Sequence, residues 1–155
     1  MSVVSAEGVH FDAEIPLLIV GAGASGLVAA LAARDAGVEV VVLERDLVPS
    51  GSTALSSGMI PACETRIQQE NNVTDSAQIM AADIIKKARG DTDPSMVDVM
   101  CRNSGPAIDW LTEHHGLDLT LVEGFLYPGH SQLRMHAPPS HRPSSGSPVR
   151  VIEPL

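Results

Sequence analysis

With 155 residues, 44% of them hydrophobic, the chain has the length of one domain and enough apolar material to bury a core. Ten Lys and Arg against 19 Asp and Glu give a net charge of -9, a poor balance for gripping nucleic acid or an anionic membrane surface. Two Phe, one Tyr and one Trp are too few for a base-stacking platform.

Residues 1–14 read as a short arm. They hold no basic stretch followed by an apolar core, so they do not read as a secretory signal. No run approaches the roughly 20 apolar residues of a membrane span. The cytoplasm is the expected compartment. Cys63 and Cys101 lie outside CxxC spacing and are expected as reduced thiols, not as a zinc site or redox pair. No HExxH or clustered His/Cys pattern argues for a metal.

The continuous apolar run 15–20 predicts a strand buried on both faces. Residues 21–26 make a glycine turn. Residues 24–36, rich in Ala and Leu, predict a helix that stops at Gly37. A β-branched strand follows over 38–43, completing one βαβ unit. A Pro-Ser-Gly breaker closes the loop 47–51, and residues 52–62 allow a short helix.

Ala77, Met80, Ala81, Ile84 and Ile85 recur at helical spacing, predicting a helix from Thr74 or Asp75 to Gly90. Two short helices are expected over 94–101 and 105–114, with Met96, Val97, Met100, Ile108 and Leu111 as a packing stripe. His114 and His115, beside Gly116, suit the negative end of a helix. A third strand-like element falls near 119–122. From Pro128 the chain turns rich in Pro, Ser and Gly, consistent either with a flexible tail or with a loop ordered by a ligand or neighbouring chain.

The sequence therefore divides into an arm (1–14), a partial domain (15–127) and a loop or tail (128–155). The fold class expected is α/β, a Rossmann-like βαβ unit followed by helices. Two clear strands are too few for a parallel sheet covered on both faces, so the domain reads as incomplete, the front part of a longer protein or a shortened relative of one.

Gly21-Ala22-Gly23-Ala24-Ser25-Gly26 fits GxGxxG. Gly21 permits the turn, Gly23 leaves room for a pyrophosphate, and Gly26 allows close helix–sheet contact. The N–H groups opening the helix at Ala24 and Ser25 would face phosphate oxygens. A purely structural glycine turn is the alternative. Its position between a buried strand and a helix favours a dinucleotide. Glu44 stands about 20 residues further on, where a carboxylate accepts from adenosine ribose hydroxyls and repels a 2′-phosphate. Arg45 has two readings, contact with the adenine side or pairing with a nearby acid.

The stretch LLIVGAGASGLVAALAARDAGVEVVVLERD, followed by GSTALSSGMI, resembles the amino-terminal half of the FAD domain in the fumarate reductase and succinate dehydrogenase flavoprotein family, which includes the ketosteroid dehydrogenases. The segment DTDPSMVDVMCRNSGPAIDWLTEHHGLDL is similar to that family's helical stretch. The resemblance implies FAD as cofactor. Gly51, Ser52, Thr53 and Ala54 would line the pyrophosphate and ribityl chain, and Ser57, Gly58 and Met59 would approach the isoalloxazine ring. Small residues suit that loop because backbone donors come close. A Ser-capped helix start without a ligand is the other reading. Ser57 stands where the family often has a glycine, a departure that alters the ring's hydrogen bonding.

The resemblance further implies hydride transfer between flavin N5 and a carbon–carbon bond next to a carbonyl or carboxylate of a small molecule. In that family the proton-donating arginine and most substrate groups come from segments after the point where this chain stops. No catalytic residue is assigned. Within the chain, His130, Arg134, His136, His141 and Arg142 are candidates. Arg134 and His136 either face flavin or substrate or lie in a solvent-facing loop. Tyr127 reads as a packing residue. Three alternatives stand beside this one: a ketosteroid-dehydrogenase-like flavoenzyme, an NAD-dependent dehydrogenase domain, and a non-catalytic nucleotide- or partner-binding remnant. Turnover by these residues alone is not expected, and association with a missing second half or another chain is.

Overall fold

The apolar run before the glycine turn forms β1, Leu17–Val20, shorter at its start than its hydrophobic pattern. The computed structural model describes residues 5–139, and the chain splits into two units, Met1–Ser57 and Gly58–Leu155. In the first unit, α1 spans Ala24–Asp35 and β2 spans Val40–Leu43. The two strands pair in parallel, Leu17 opposite Val40 through Val20 opposite Leu43. Gly21 N–H extends the ladder by donating to the Leu43 carbonyl at 2.7 Å.

Gly37 stops α1 as expected. It takes φ 74° while its N–H donates to Arg34 and the Val38 N–H donates to Ala33, which satisfies the last helical carbonyls. The short α2, Ser52–Leu55, follows the loop. Neither strand has a buried residue, nor has α1, and Val20 is 82% exposed. Parallel strands are ordinarily covered on both faces. This two-stranded unit is part of a larger sheet architecture, which the chain supplies only in part.

The second unit is built differently. β3 (Ile60–Pro61), β5 (Met135–Ala137) and β4 (Thr120–Leu121) form an antiparallel sheet with β5 in the centre. Three helices accompany it: α3 (Arg66–Glu70), α4 (Ala77–Lys87) and α5 (Pro94–His115). Thr65 and Gln68 make a reciprocal capping box on α3, Ser76 caps α4, and Asp93 with Pro94 opens α5.

Residues 94–115 form one helix where two were expected. Pro106 removes one internal N–H donor, which normally breaks a helix. Burial of one face outweighs that loss. Val97, Cys101, Gly105 and Ile108 are the buried positions, spaced four, four and three. A Cβ on Gly105 would stand 2.2 Å from the Cys63 carbonyl oxygen, so only glycine lets that strand-flanking backbone meet the helix. The expected stripe is corrected accordingly. Met96 and Met100 lie on the outer face, 67% and 49% exposed, and Leu111 is half-buried.

Ala77 and Met80 of α4 pack with Cys63, Val97 and Cys101, and a second cluster joins Ala62, Ile108 and Leu119. Ile85, expected on the inner face of α4, is instead exposed. β5 lies in the segment expected to be a loop or tail, and the 119–122 element narrows to β4. Residues 140–155, which include His141 and Arg142, lie outside the described residues.

Candidate functional site

The glycine turn gathers three separate pieces of the first unit. Gly23 precedes α1 in extended backbone, and α1 has no side-chain cap and no acidic residue in its first turn. Its opening donors are therefore left to outside acceptors. One is met by Thr53, whose Oγ1 accepts from the Ala24 N–H at 3.1 Å. That hydroxyl stands 3.7 Å from where a Cβ on Gly23 would be. A Cβ on Gly26 would fall 2.0 Å from the Gly21 carbonyl oxygen, so α1 is seated directly on the turn. Ser25 lies between these positions in the first helical turn.

Glu44, one residue past β2, closes the turn from the other side. Its Oε2 accepts from Ala22 N–H at 2.8 Å, and its Oε1 accepts from Arg45 and Asp46 N–H at 2.8 and 3.1 Å. Those donors, Ala22 foremost, hold its carboxyl below the usual glutamate value. It is ionised at neutral pH, and an ionised carboxylate with three acceptances keeps a lone pair for a further donor. Arg45 takes the second of its two readings, since its exposed guanidinium pairs with Asp46. Asp46 also accepts from Ser50, which closes the loop leading to Gly51 and α2. Ala54 lies within α2 and Ser57 ends the unit. Gly58 and Met59 begin the second unit.

Arg134 and His136 stand on or beside β5 and are both buried, at 1% and 0% exposure, so the solvent-facing reading fails for both. Arg134 Nε and Nη2 donate to Asp75 at 2.6 and 2.9 Å, and Nη1 donates to Asp83 at 2.5 Å. Burial works against the guanidinium charge, and the two carboxylates more than offset it. Asp83 is in turn held below its ordinary value, because donation from Arg134 and Ser131 exceeds the effect of burial. Gln68 ties the pair to the sheet, donating to Asp75 and to the Leu133 carbonyl at 3.2 and 2.8 Å.

His136 Nδ1 lies 3.3 Å from the Ile60 carbonyl, which can only accept, so that nitrogen carries the proton. Its Nε2 then accepts from the Thr65 hydroxyl at 2.9 Å. Burial pushes the ring's pKa down, keeping it neutral. These contacts account for both side chains within the second unit. Sequence reasoning missed Asp75, Asp83 and Thr65, whose partners lie 51 to 71 residues away.

Tyr127 packs edge-on against Phe125, and Trp110 against His115 at the end of α5. Burial raises both cysteine thiols, and Cys63 donates to the Cys101 carbonyl. Among the described residues no group of His, Cys, Asp and Glu could hold a metal, and no helix is long and apolar enough to cross a membrane.

A parallel βαβ unit with a glycine turn seated on a helix start, closed by an acid after the second strand, defines a dinucleotide-binding fold. Residues 17–149 match the model of the FAD binding domain family, and the chain belongs to that family. It is 33% identical over 135 residues to a fumarate reductase (cytochrome) of Shewanella frigidimarina, covering 87% of this chain and 22% of that protein. The open conformation of a flavocytochrome c3 fumarate reductase superposes with a TM-score of 0.69 at 28% identity, over 86% of this chain and 22% of that one. A 3-ketosteroid-Δ4-(5α)-dehydrogenase from Rhodococcus jostii RHA1 gives 0.63 at 30% identity, over 70% and 23%. The chain thus spans about a fifth of the length of these relatives.

Proposed function

We propose that the chain is the dinucleotide-holding part of an FAD-dependent oxidoreductase of the fumarate-reductase type. The observation that carries this reading is the convergence of Ala24 N–H, Thr53 Oγ1 and the glycine turn on one helix start, with Glu44 fixed at its side. The residues fit FAD. Gly23, Ala24, Ser25 and Gly26 offer backbone donors to a pyrophosphate, joined by Gly51, Ser52, Thr53 and Ala54, while Gly21, whose N–H is given to Leu43, shapes the turn. Glu44 accepts from ribose hydroxyls and disfavours a 2′-phosphate.

By sequence resemblance, Ser57, Gly58 and Met59 approach the ring. Bound flavin would supply hydride transfer to or from a carbon–carbon bond made acidic or electrophilic by an adjacent carbonyl or carboxylate. The chain's own part is to bind and orient. Arg134 and His136 brace the second unit instead of touching substrate. No residue here is proposed as proton donor. The substrates named for the relatives, fumarate and a 3-ketosteroid, share that bond type, and the first is favoured by sequence identity over most of the chain. The exposed faces of β1 and β2 support association with further polypeptide that completes the sheet.

The test is the visible absorbance of the purified chain, before and after adding FAD, with chromatography of any released chromophore. Flavin bands with FAD released are expected. A folded, colourless protein that takes up no FAD overturns the reading. Retention of NAD instead would replace it with a dehydrogenase domain.

A further inference from the structure

The end of α4 and the loop before β5 border a cavity of about 390 Å³ in the second unit, lined by Asp83, Lys86, Lys87, Arg89, His130 and Ser131 together with Gly129. Its charge runs against that of the chain. Lys86, Lys87 and Arg89 make no ion pair among the described residues. The one lining carboxylate, Asp83, is already engaged: its Oδ2 accepts from Arg134 and from both the N–H and the hydroxyl of Ser131. Counting the Arg134 cluster, four cationic side chains face two carboxylates, Asp75 and Asp83.

Two further details mark the place as built. The Gly90 N–H donates to Ile85 and the Arg89 N–H to Lys86, so α4 ends in the two-bond motif that usually puts glycine in the left-handed position. Here that position is Arg89, with φ 54°. A long charged side chain is kept where the backbone favours glycine. The two bonds also satisfy end carbonyls that would otherwise repel an anion. Gly129 lies along the Lys87 stem, 3.0 Å from Lys87 Cδ to the place of its missing Cβ, which fixes the loop beside the lysine. His130 and Ser131 complete the lining on the loop side.

We propose that this cavity binds a doubly charged phosphate group, as inorganic phosphate or as a phosphomonoester, held by Lys86, Lys87 and Arg89. A single carboxylate would leave the cationic excess unmatched, whereas a dianion balances it. The site is built from residues of the second unit alone and does not depend on the FAD reading.

Amide and histidine side-chain NMR of the full chain, titrated with inorganic phosphate, glycerol phosphate or acetate at constant ionic strength, tests this. Saturable shifts are expected at Gly129, His130 and Ser131, at least tenfold weaker for acetate. A tighter fit for glycerol phosphate than for phosphate identifies an ester as the ligand, and the reverse identifies the free ion. Arg89→Gly relieves the left-handed backbone, so it should fold at least as well while losing phosphate affinity by tenfold or more, as should K86Q. Non-saturating shifts, equal binding of acetate, unchanged affinity in both variants, or shifts confined to residues 21–26 would each overturn the proposal.

Discussion

The two units hold themselves together by opposite means. In Met1–Ser57 the order is local: a helix terminated by Gly37, a parallel strand pair, and a turn stitched by Glu44 and Thr53. Its strands and helix bury no residue. In Gly58–Leu155 the order is long-range. Ala62, Cys63, Thr65, Gln68, Arg134 and His136 are almost wholly inaccessible, and several are polar. The difference teaches where function and stability reside. The first unit spends its backbone donors and small residues on a turn shaped for a ligand, and the second carries the buried network that keeps an antiparallel sheet in register.

That contrast makes unequal demands on substitution. Arg134→Ala should be the most damaging change, because it leaves Asp75 buried without its partner. Breaking a buried pair costs roughly 3–5 kcal/mol. Urea unfolding followed by Trp110 fluorescence, a reporter within α5, should show it. A loss under 1 kcal/mol would mean that water or rearranged donors replace the guanidinium.

Next come paired glycine substitutions. Gly105→Ala places a Cβ against the Cys63 carbonyl, and Gly26→Ala places one against the Gly21 carbonyl. Overpacking of this kind costs about 1–3 kcal/mol or more. G105A should lower the Trp110 transition and leave FAD affinity nearly intact. G26A should abolish FAD uptake and barely move that transition. Equal effects of both variants on both readouts would erase the distinction between the units.

The smallest effect is the response to acid. Burial holds His130 and His136 below the ordinary histidine value of 6.5. As pH falls past that value the unfolded chain takes up protons that the folded second unit refuses, so its stability declines from about pH 6.5 downward. The shifted groups of the first unit are Glu44 and Asp46, both held low by hydrogen bonds. What they contribute is complete above their unfolded values of 4.5 and 3.8 and is lost as pH drops through their lower folded ones. Residue-resolved hydrogen exchange at pH 7 and pH 5.5 should therefore weaken α5 protection first. Simultaneous loss in both units would contradict the assignment.

The same contrast governs what the sequence reveals. The glycine turn, α1, Gly37 and the acid at 44 were legible because each signal lies within a few residues of what it controls. The GSTALSS loop was legible only through its resemblance to a family. Its bond from Thr53 back to Ala24 is invisible in spacing. In the second unit, Gly105 and Pro106 look like a helix break until the approach of Cys63 supplies a reason for both burial and continuity. β5 hides among prolines because its pairing partners, at 60–61 and 120–121, are remote. Arg134 and His136 were noticed as reactive types, yet nothing local shows that Asp75, Asp83 and Thr65 occupy them.

The turn of the first unit is proposed as an FAD site. Hydrogen exchange of the full chain with and without added FAD tests it most directly. Slowed exchange confined to the amides of residues 21–26 and 51–54 is the expected result, with Ala24 changing as its bond to Thr53 is re-formed around the ligand. Unchanged exchange in that unit at saturating FAD, or protection spread only over α4 and α5, would contradict the account.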